Sequence, residues 1–137
     1  MTTKGLLGIR GRGTLVTLKR DGRPQLSVVD YTSDPDARVI RFSTTDDRAK
    51  TRNLRCDPRA SFYVSAPDGW AYTVAEGIAA LTPVASEAHD ATVEELVDVY
   101  RAIAGEHPDW HDYRRAMVAD RRLVVRIQID RTYGTAA

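Results

Sequence analysis

The sequence predicts a mainly β fold, a small antiparallel barrel with helical decoration. Three observations carry this. Short β-branched runs alternate with tight-turn signals through the first part of the chain. The clearest amphipathic helix comes late, and a second helical segment and one last alternating strand follow it. Strands do not alternate regularly with helices, which excludes a doubly wound parallel sheet.

The first strand is read at Thr14–Lys19 (TLVTLK). Asp21-Gly22 is a strong hairpin signal, and Pro24–Tyr31 (PQLSVVDY) is the partner strand, with Pro24 at a strand start where its missing N–H costs least. Ser33-Asp34-Pro35-Asp36 reads as a turn before a third strand, Arg38–Thr44. A short helix is expected over about Asp47–Arg55, capped by Thr45, Asp46 or Asp47 and ended by Asp57-Pro58. Arg59–Ser65 is a fourth strand, and Pro67-Asp68-Gly69 turns the chain into a long fifth one, Trp70–Thr82, with a bulge or bend expected at Gly77.

Thr92–Ala104 has the spacing of a helix: Val93, Leu96, Val97, Tyr100 and Ile103 share one face, Thr92-x-x-Glu95 reads as a capping box, and Gly105 is a natural stop. A second helical segment runs about Asp109–Asp120. Leu123–Ile129 closes the fold as a strand with Leu123, Val125, Ile127 and Ile129 on one face and Val124, Arg126 and Gln128 on the other.

Composition bounds the function. The 137 residues suit one domain, 1–137, long enough to bury a core unaided. Hydrophobic residues at 42% and charged residues at 28% exclude bulk disorder. Twenty Lys and Arg against 19 Asp and Glu leave +1, which argues against a nucleic-acid coat but not against a local basic patch. The single cysteine, Cys56, excludes an internal disulfide framework and a multi-cysteine metal site. No apolar run approaches the roughly 20 residues needed to span a bilayer, and the start lacks a signal-like apolar stretch, so a cytoplasmic location is expected.

The most informative stretch is Arg48-Ala49-Lys50-Thr51-Arg52-Asn53-Leu54-Arg55. From Arg48 to Arg59 there are five basic residues and one acid, Asp57. Arg48, Arg52 and Arg55 share one helix face, while Lys50 falls near Leu54 on the face expected to turn inward. A helix start favours anions through its free N–H groups and dipole, so Arg48, Lys50, Thr51 and these amides suit a phosphate. A solvated basic helix with Lys50 snorkelling is the alternative.

Gln25 and Ser27 alternate with Leu26 and offer donors and acceptors to a planar heteroaromatic edge, or else form a polar outer strand face. Trp70 and Tyr72 read as one strand face fit to stack on a ring, or as a core or interface pair. His107 and His111 are four apart but have no third ligand at metal-site spacing, so no metal site is expected. No G-x-S-x-G, Walker A, G-x-G-x-x-G or H-E-x-x-H pattern occurs, and neither hydrolysis nor acyl transfer has a visible catalytic set.

These stretches in order, Asp21-Gly22-Arg23-Pro24-Gln25-Leu26-Ser27, Arg48 to Leu54 with Asp57-Pro58-Arg59-Ala60, Asp68-Gly69-Trp70 with Ala75-Glu76-Gly77, and Tyr100 to Met117, resemble the split β-barrel flavin/deazaflavin oxidoreductases of actinobacteria, related in fold to pyridoxamine 5′-phosphate oxidase. The resemblance covers nearly all of the chain after Thr14 and is nearest the subgroup B proteins that bind coenzyme F420, a 5-deazaflavin. It implies about six antiparallel strands plus three to four short helices, and a homodimer with a cofactor at each interface site. By resemblance, Gln25, Leu26 and Ser27 meet the deazaflavin, Ser43 contacts the tail, Arg48, Lys50, Thr51 and Asn53 hold the phosphate, and Trp70 comes from the partner subunit. It implies hydride transfer from reduced F420 to a small conjugated acceptor, an enone or quinone, with no protein nucleophile and with Tyr72 or solvent as proton donor. Neither nucleic acid nor membrane is an expected partner. An FMN-dependent enzyme of the pyridoxamine oxidase type and a non-catalytic F420-binding or storage protein are the alternatives. The short Gly/Arg-rich start and Val28 depart from the family pattern.

Overall fold

Turn signals in the sequence become corners of one closed sheet. In the computed structural model, which describes residues 5–136, β1 (Arg10–Leu18) pairs antiparallel with β2 (Pro24–Asp34) through the Asp21-Gly22 hairpin. Then follow β3 (Val39–Thr45), α1 (Ala49–Cys56), β4 (Arg59–Ser65), β5 (Tyr72–Leu81), α2 (Ala91–Ala104), α3 (Trp110–Ala119) and β6 (Arg122–Tyr133). The order around the barrel is β1-β2-β3-β6-β5-β4, every neighbouring pair antiparallel. The last strand thus enters between β3 and β5 and closes the sheet. Among the described residues no helix is long and apolar enough to cross a membrane.

The period-two pattern of β6 explains two separate cores. Val125, Ile127 and Ile129 point into the barrel with Leu15, Ile40 and Phe42. Val124, on the outer face, is buried instead under α2 and α3, against Val93, Leu96 and Met117. The bend expected at Gly77 is a register shift: Glu76 faces Arg131 and Gly77 faces Ile129, leaving Asp130 as the extra residue. A Cβ on Gly77 would lie 2.0 Å from the Gln128 carbonyl oxygen, so only glycine fits there.

Four local expectations are corrected. β1 starts at Arg10, because the Gly/Arg segment pairs with β2 as far as Thr32; Gly13 is needed where a Cβ would meet the Phe62 ring at 2.4 Å. The α2 cap is Asp90, whose Oδ1 accepts from the Val93 amide at 2.8 Å. Thr92 instead donates to the Pro83 carbonyl, and Glu95 turns to the barrel to accept from Arg126 at 2.8 Å. The α1 cap is Arg48, without a side-chain capping bond; Thr45 donates to Asp47, and Asp46 pairs with Arg55 and Arg121. Trp70 lies in the β4–β5 hairpin before β5 begins, so it shares no strand face with Tyr72.

Candidate functional site

β2 and β3 are paired only where Thr32–Asp34 meets Val39–Arg41. From there β2 follows β1 as far as Pro24, while β3 follows β6 as far as Thr45. The two strands therefore diverge, and each turns an unpaired backbone edge to the gap. Helix α1 bridges it. On one side the Thr51 hydroxyl lies 3.1 Å from the Thr44 hydroxyl and donates to the Thr45 carbonyl at 2.8 Å. On the other, the Asn53 side-chain amide donates to Thr17 Oγ1 on β1 and Gln25 Oε1 on β2, both at 3.1 Å.

At the head of α1 is a cleft of about 300 Å³, walled by Val28 and Asp30 of β2, Ser43 of β3, and Arg48, Lys50 and Arg122. Its electrostatics are one-sided. Among the described residues, none of the three cations has a carboxylate within 4.0 Å. The one acid in the wall, Asp30, is held by Arg12 at 2.8 Å. Other arginines of the same basic segment are neutralised, Arg55 by Asp46 and Arg59 by Asp57. Burial, and then the nearby charges of Arg48 and Arg122, hold the Lys50 ammonium below the usual lysine range. The amides of Ala49, Lys50 and Thr51 have no backbone acceptor among the described residues, as expected for an uncapped first turn, and they add their dipole to the same end. The arrangement suits a multiply oxygenated anion.

Of the residues singled out from the sequence, Ser43, Arg48 and Lys50 meet in this cleft. Thr51 is fully buried behind it, its hydroxyl engaged by β3. Gln25 and Ser27 share the half-buried face of β2, whereas Leu26 and Val28 stand on the opposite face, 63% and 68% exposed. Asn53 is engaged with Gln25 and Thr17. Trp70, 84% exposed, and Tyr72, stacked on Tyr63 at 5.8 Å between centroids, belong to the β4–β5 hairpin region and do not line the cleft within one chain. His107 packs among Tyr100, Trp110 and Tyr113, with its Nδ1 accepting from the Asp109 amide at 2.9 Å.

Arg122 was not legible from the sequence. It lies 79 residues beyond Ser43, outside the basic segment, and reaches the cleft only because β6 pairs with β3. Its Nη1 donates to Ser43 Oγ at 3.3 Å, and its Nε is buried with no partner among the described residues.

Residues 4–136 match the pyridoxamine 5′-phosphate oxidase family. An F420H2-dependent biliverdin reductase of Mycobacterium tuberculosis is 30% identical over 130 residues, spanning 95% of this chain and 83% of that protein. A solved structure described as an F420 reductase superposes with a TM-score of 0.71 at 23% identity, covering 93% of both chains, and so shares the fold. A conserved hypothetical protein of Mycobacterium tuberculosis superposes with a TM-score of 0.69 at 26% identity, covering 91% of this chain and 76% of its own.

Proposed function

The chain belongs to the pyridoxamine 5′-phosphate oxidase family, and from that premise we propose that it is an F420H2-dependent oxidoreductase that binds the deazaflavin at a dimer interface and reduces a conjugated, enone- or quinone-like acceptor. The observation that carries this reading is the cluster of uncompensated cations set at the split between β2 and β3. A deazaflavin coenzyme needs an edge for a flat heterocycle and an anion cradle one tail-length away. An unpaired strand edge beside Arg48 and Lys50 fits both demands. The F420H2-dependent biliverdin reductase among its relatives supports this cofactor over FMN.

In this reading Arg48, Lys50 and the first-turn amides hold the phosphate, and Ser43 contacts the tail. Gln25 and Ser27 orient the heterocycle, with Gln25 itself held by Asn53. Leu26 and Val28 form an exposed apolar bed beside it, which a second copy covers, keeping water from the reacting face. Trp70 of the partner subunit completes that wall. When bound, reduced F420 supplies a hydride from its C5 in a two-electron transfer. Tyr72 of the partner subunit, two residues on from Trp70, is the candidate to deliver the proton the reduced acceptor requires, with solvent as the other source.

The test is a titration with F420 and with FMN, followed by F420H2 oxidation against enones, quinones and biliverdin. Expected are micromolar F420 binding and acceptor-dependent oxidation. Tight FMN binding without F420 binding overturns the cofactor assignment. F420 binding with no turnover across the panel makes the protein a carrier.

A further inference from the structure

The geometry points to Arg122 as a direct ligand of the anion in the cleft, so that the cradle is assembled from α1 and from the start of β6, two distant parts of the chain. This deepens the proposed function and rests on its anion cradle, not on which cofactor carries the phosphate.

The neighbouring arginines set Arg122 apart. Arg121, Arg126 and Arg131, at and along the same strand, each have a carboxylate: Asp46, Glu95 and Glu76. Arg122 alone of the four has none among the described residues, and it is the one that lines the cleft. Its guanidinium carries five N–H donors. Among the described residues one of them is met, by a neutral hydroxyl at 3.3 Å, and the buried Nε is left unmet. A half-buried cation with so little compensation, placed beside Lys50 and Arg48, is a poor structural element and a good anion ligand.

The Arg122 backbone is held from both sides: Thr45 is its ladder partner on β3, and its carbonyl accepts from the Ala85 amide at 2.8 Å. One residue earlier, Arg121 takes a left-handed φ of 54° and its carbonyl accepts from the Asp46 amide at 3.0 Å. The turn into β6 therefore delivers Arg122 to the cleft at little ordering cost when an anion arrives. The field of Arg122 also reaches Lys50, contributing to the lowered pKa there, and a bound anion relieves that repulsion.

The experiment compares Arg122→Gln, Arg122→Lys and the control Arg121→Gln. Inorganic phosphate binding is read by calorimetry, F420 binding by deazaflavin fluorescence, and the melting temperature of the ligand-free protein alongside. Arg122→Gln is expected to weaken both ligands by about tenfold or more, with Arg122→Lys recovering part of the loss and Arg121→Gln unchanged. The ligand-free Arg122→Gln protein is expected to melt no lower than the wild type, since it sheds an uncompensated charge. Wild-type affinity for both ligands in Arg122→Gln overturns the inference, as does a loss of affinity matched by a drop in melting temperature in both Arg122 variants. If wild type binds phosphate but not F420 and Arg122→Gln loses phosphate, the Arg122 assignment stands and the F420 reading falls. If F420 binding is intact in Arg122→Gln, the F420 reading stands and the Arg122 assignment falls.

Discussion

Asn53 donates its side-chain amide to Gln25 Oε1 at 3.1 Å, tying helix α1 to β2 across the split in the barrel. The same nitrogen reaches Thr17 Oγ1 at 3.1 Å on β1. Two side chains that the sequence offers as ligand contacts therefore first hold each other, and the helix start is positioned through them. A double-mutant cycle with Gln25→Ala and Asn53→Ala, followed by urea unfolding, is expected to give a coupling of about 0.5–1.5 kcal/mol, the range of a neutral hydrogen bond. Additive losses would mean that the two side chains act independently.

Lys50→Ala is expected to weaken F420 binding by about 1–3 kcal/mol, roughly five- to 150-fold, by removing a charge-assisted contact. Deazaflavin fluorescence measures it. The pH dependence has a definite sign. Only the ammonium attracts the anion, and burial beside Arg48 and Arg122 lowers its pKa from 10.5, so wild-type affinity falls on the alkaline side earlier than an ordinary lysine would allow. Lys50→Ala removes that alkaline limb. Because the lowered pKa reflects an unfavourable buried charge, the ligand-free variant is expected to be at least as stable as wild type at neutral pH.

Glu95 couples α2 to the barrel. Hydrogen bonding from Arg126 is the leading reason its carboxyl sits below the usual 4.5, helped by the charges of Arg126 and Arg41 and opposed by burial. A depressed carboxylate contributes stability above its unfolded pKa and loses it as pH falls through the folded one. Glu95→Gln is therefore expected to cost about 1 kcal/mol at neutral pH, with the gap to wild type closing in acid. Urea midpoints at neutral and acidic pH check it, and a constant gap would place the effect in packing.

Leu26 and Val28 stand exposed on β2, and Val16 and Thr14 are their ladder partners on β1, giving an apolar outer stripe next to the cleft. Leu26→Asp is expected to shift a dimer to monomer in sedimentation velocity and to weaken F420 binding with it. A variant that stays dimeric would move the interface elsewhere.

The strand and helix sequence was largely legible because hairpin turns and period-two or period-3.6 patterns are local. Caps were less so. Asp90 displaces Thr92 as the α2 cap because its second carboxylate oxygen also takes the Ser86 and Glu87 amides, a loop geometry that no spacing rule reveals. Glu95 is drawn from its expected cap role by Arg126, 31 residues later.

By itself the sequence determined that a barrel with late helices forms and that Gly77 marks its bend. It carried those because each depends on neighbours in the chain. Only the tertiary structure decided where the sheet splits, which of the basic residues remain uncompensated, and that Arg122 joins them. Those outcomes depend on β6 inserting beside β3, and on which carboxylates that pairing brings within reach of which guanidinium groups.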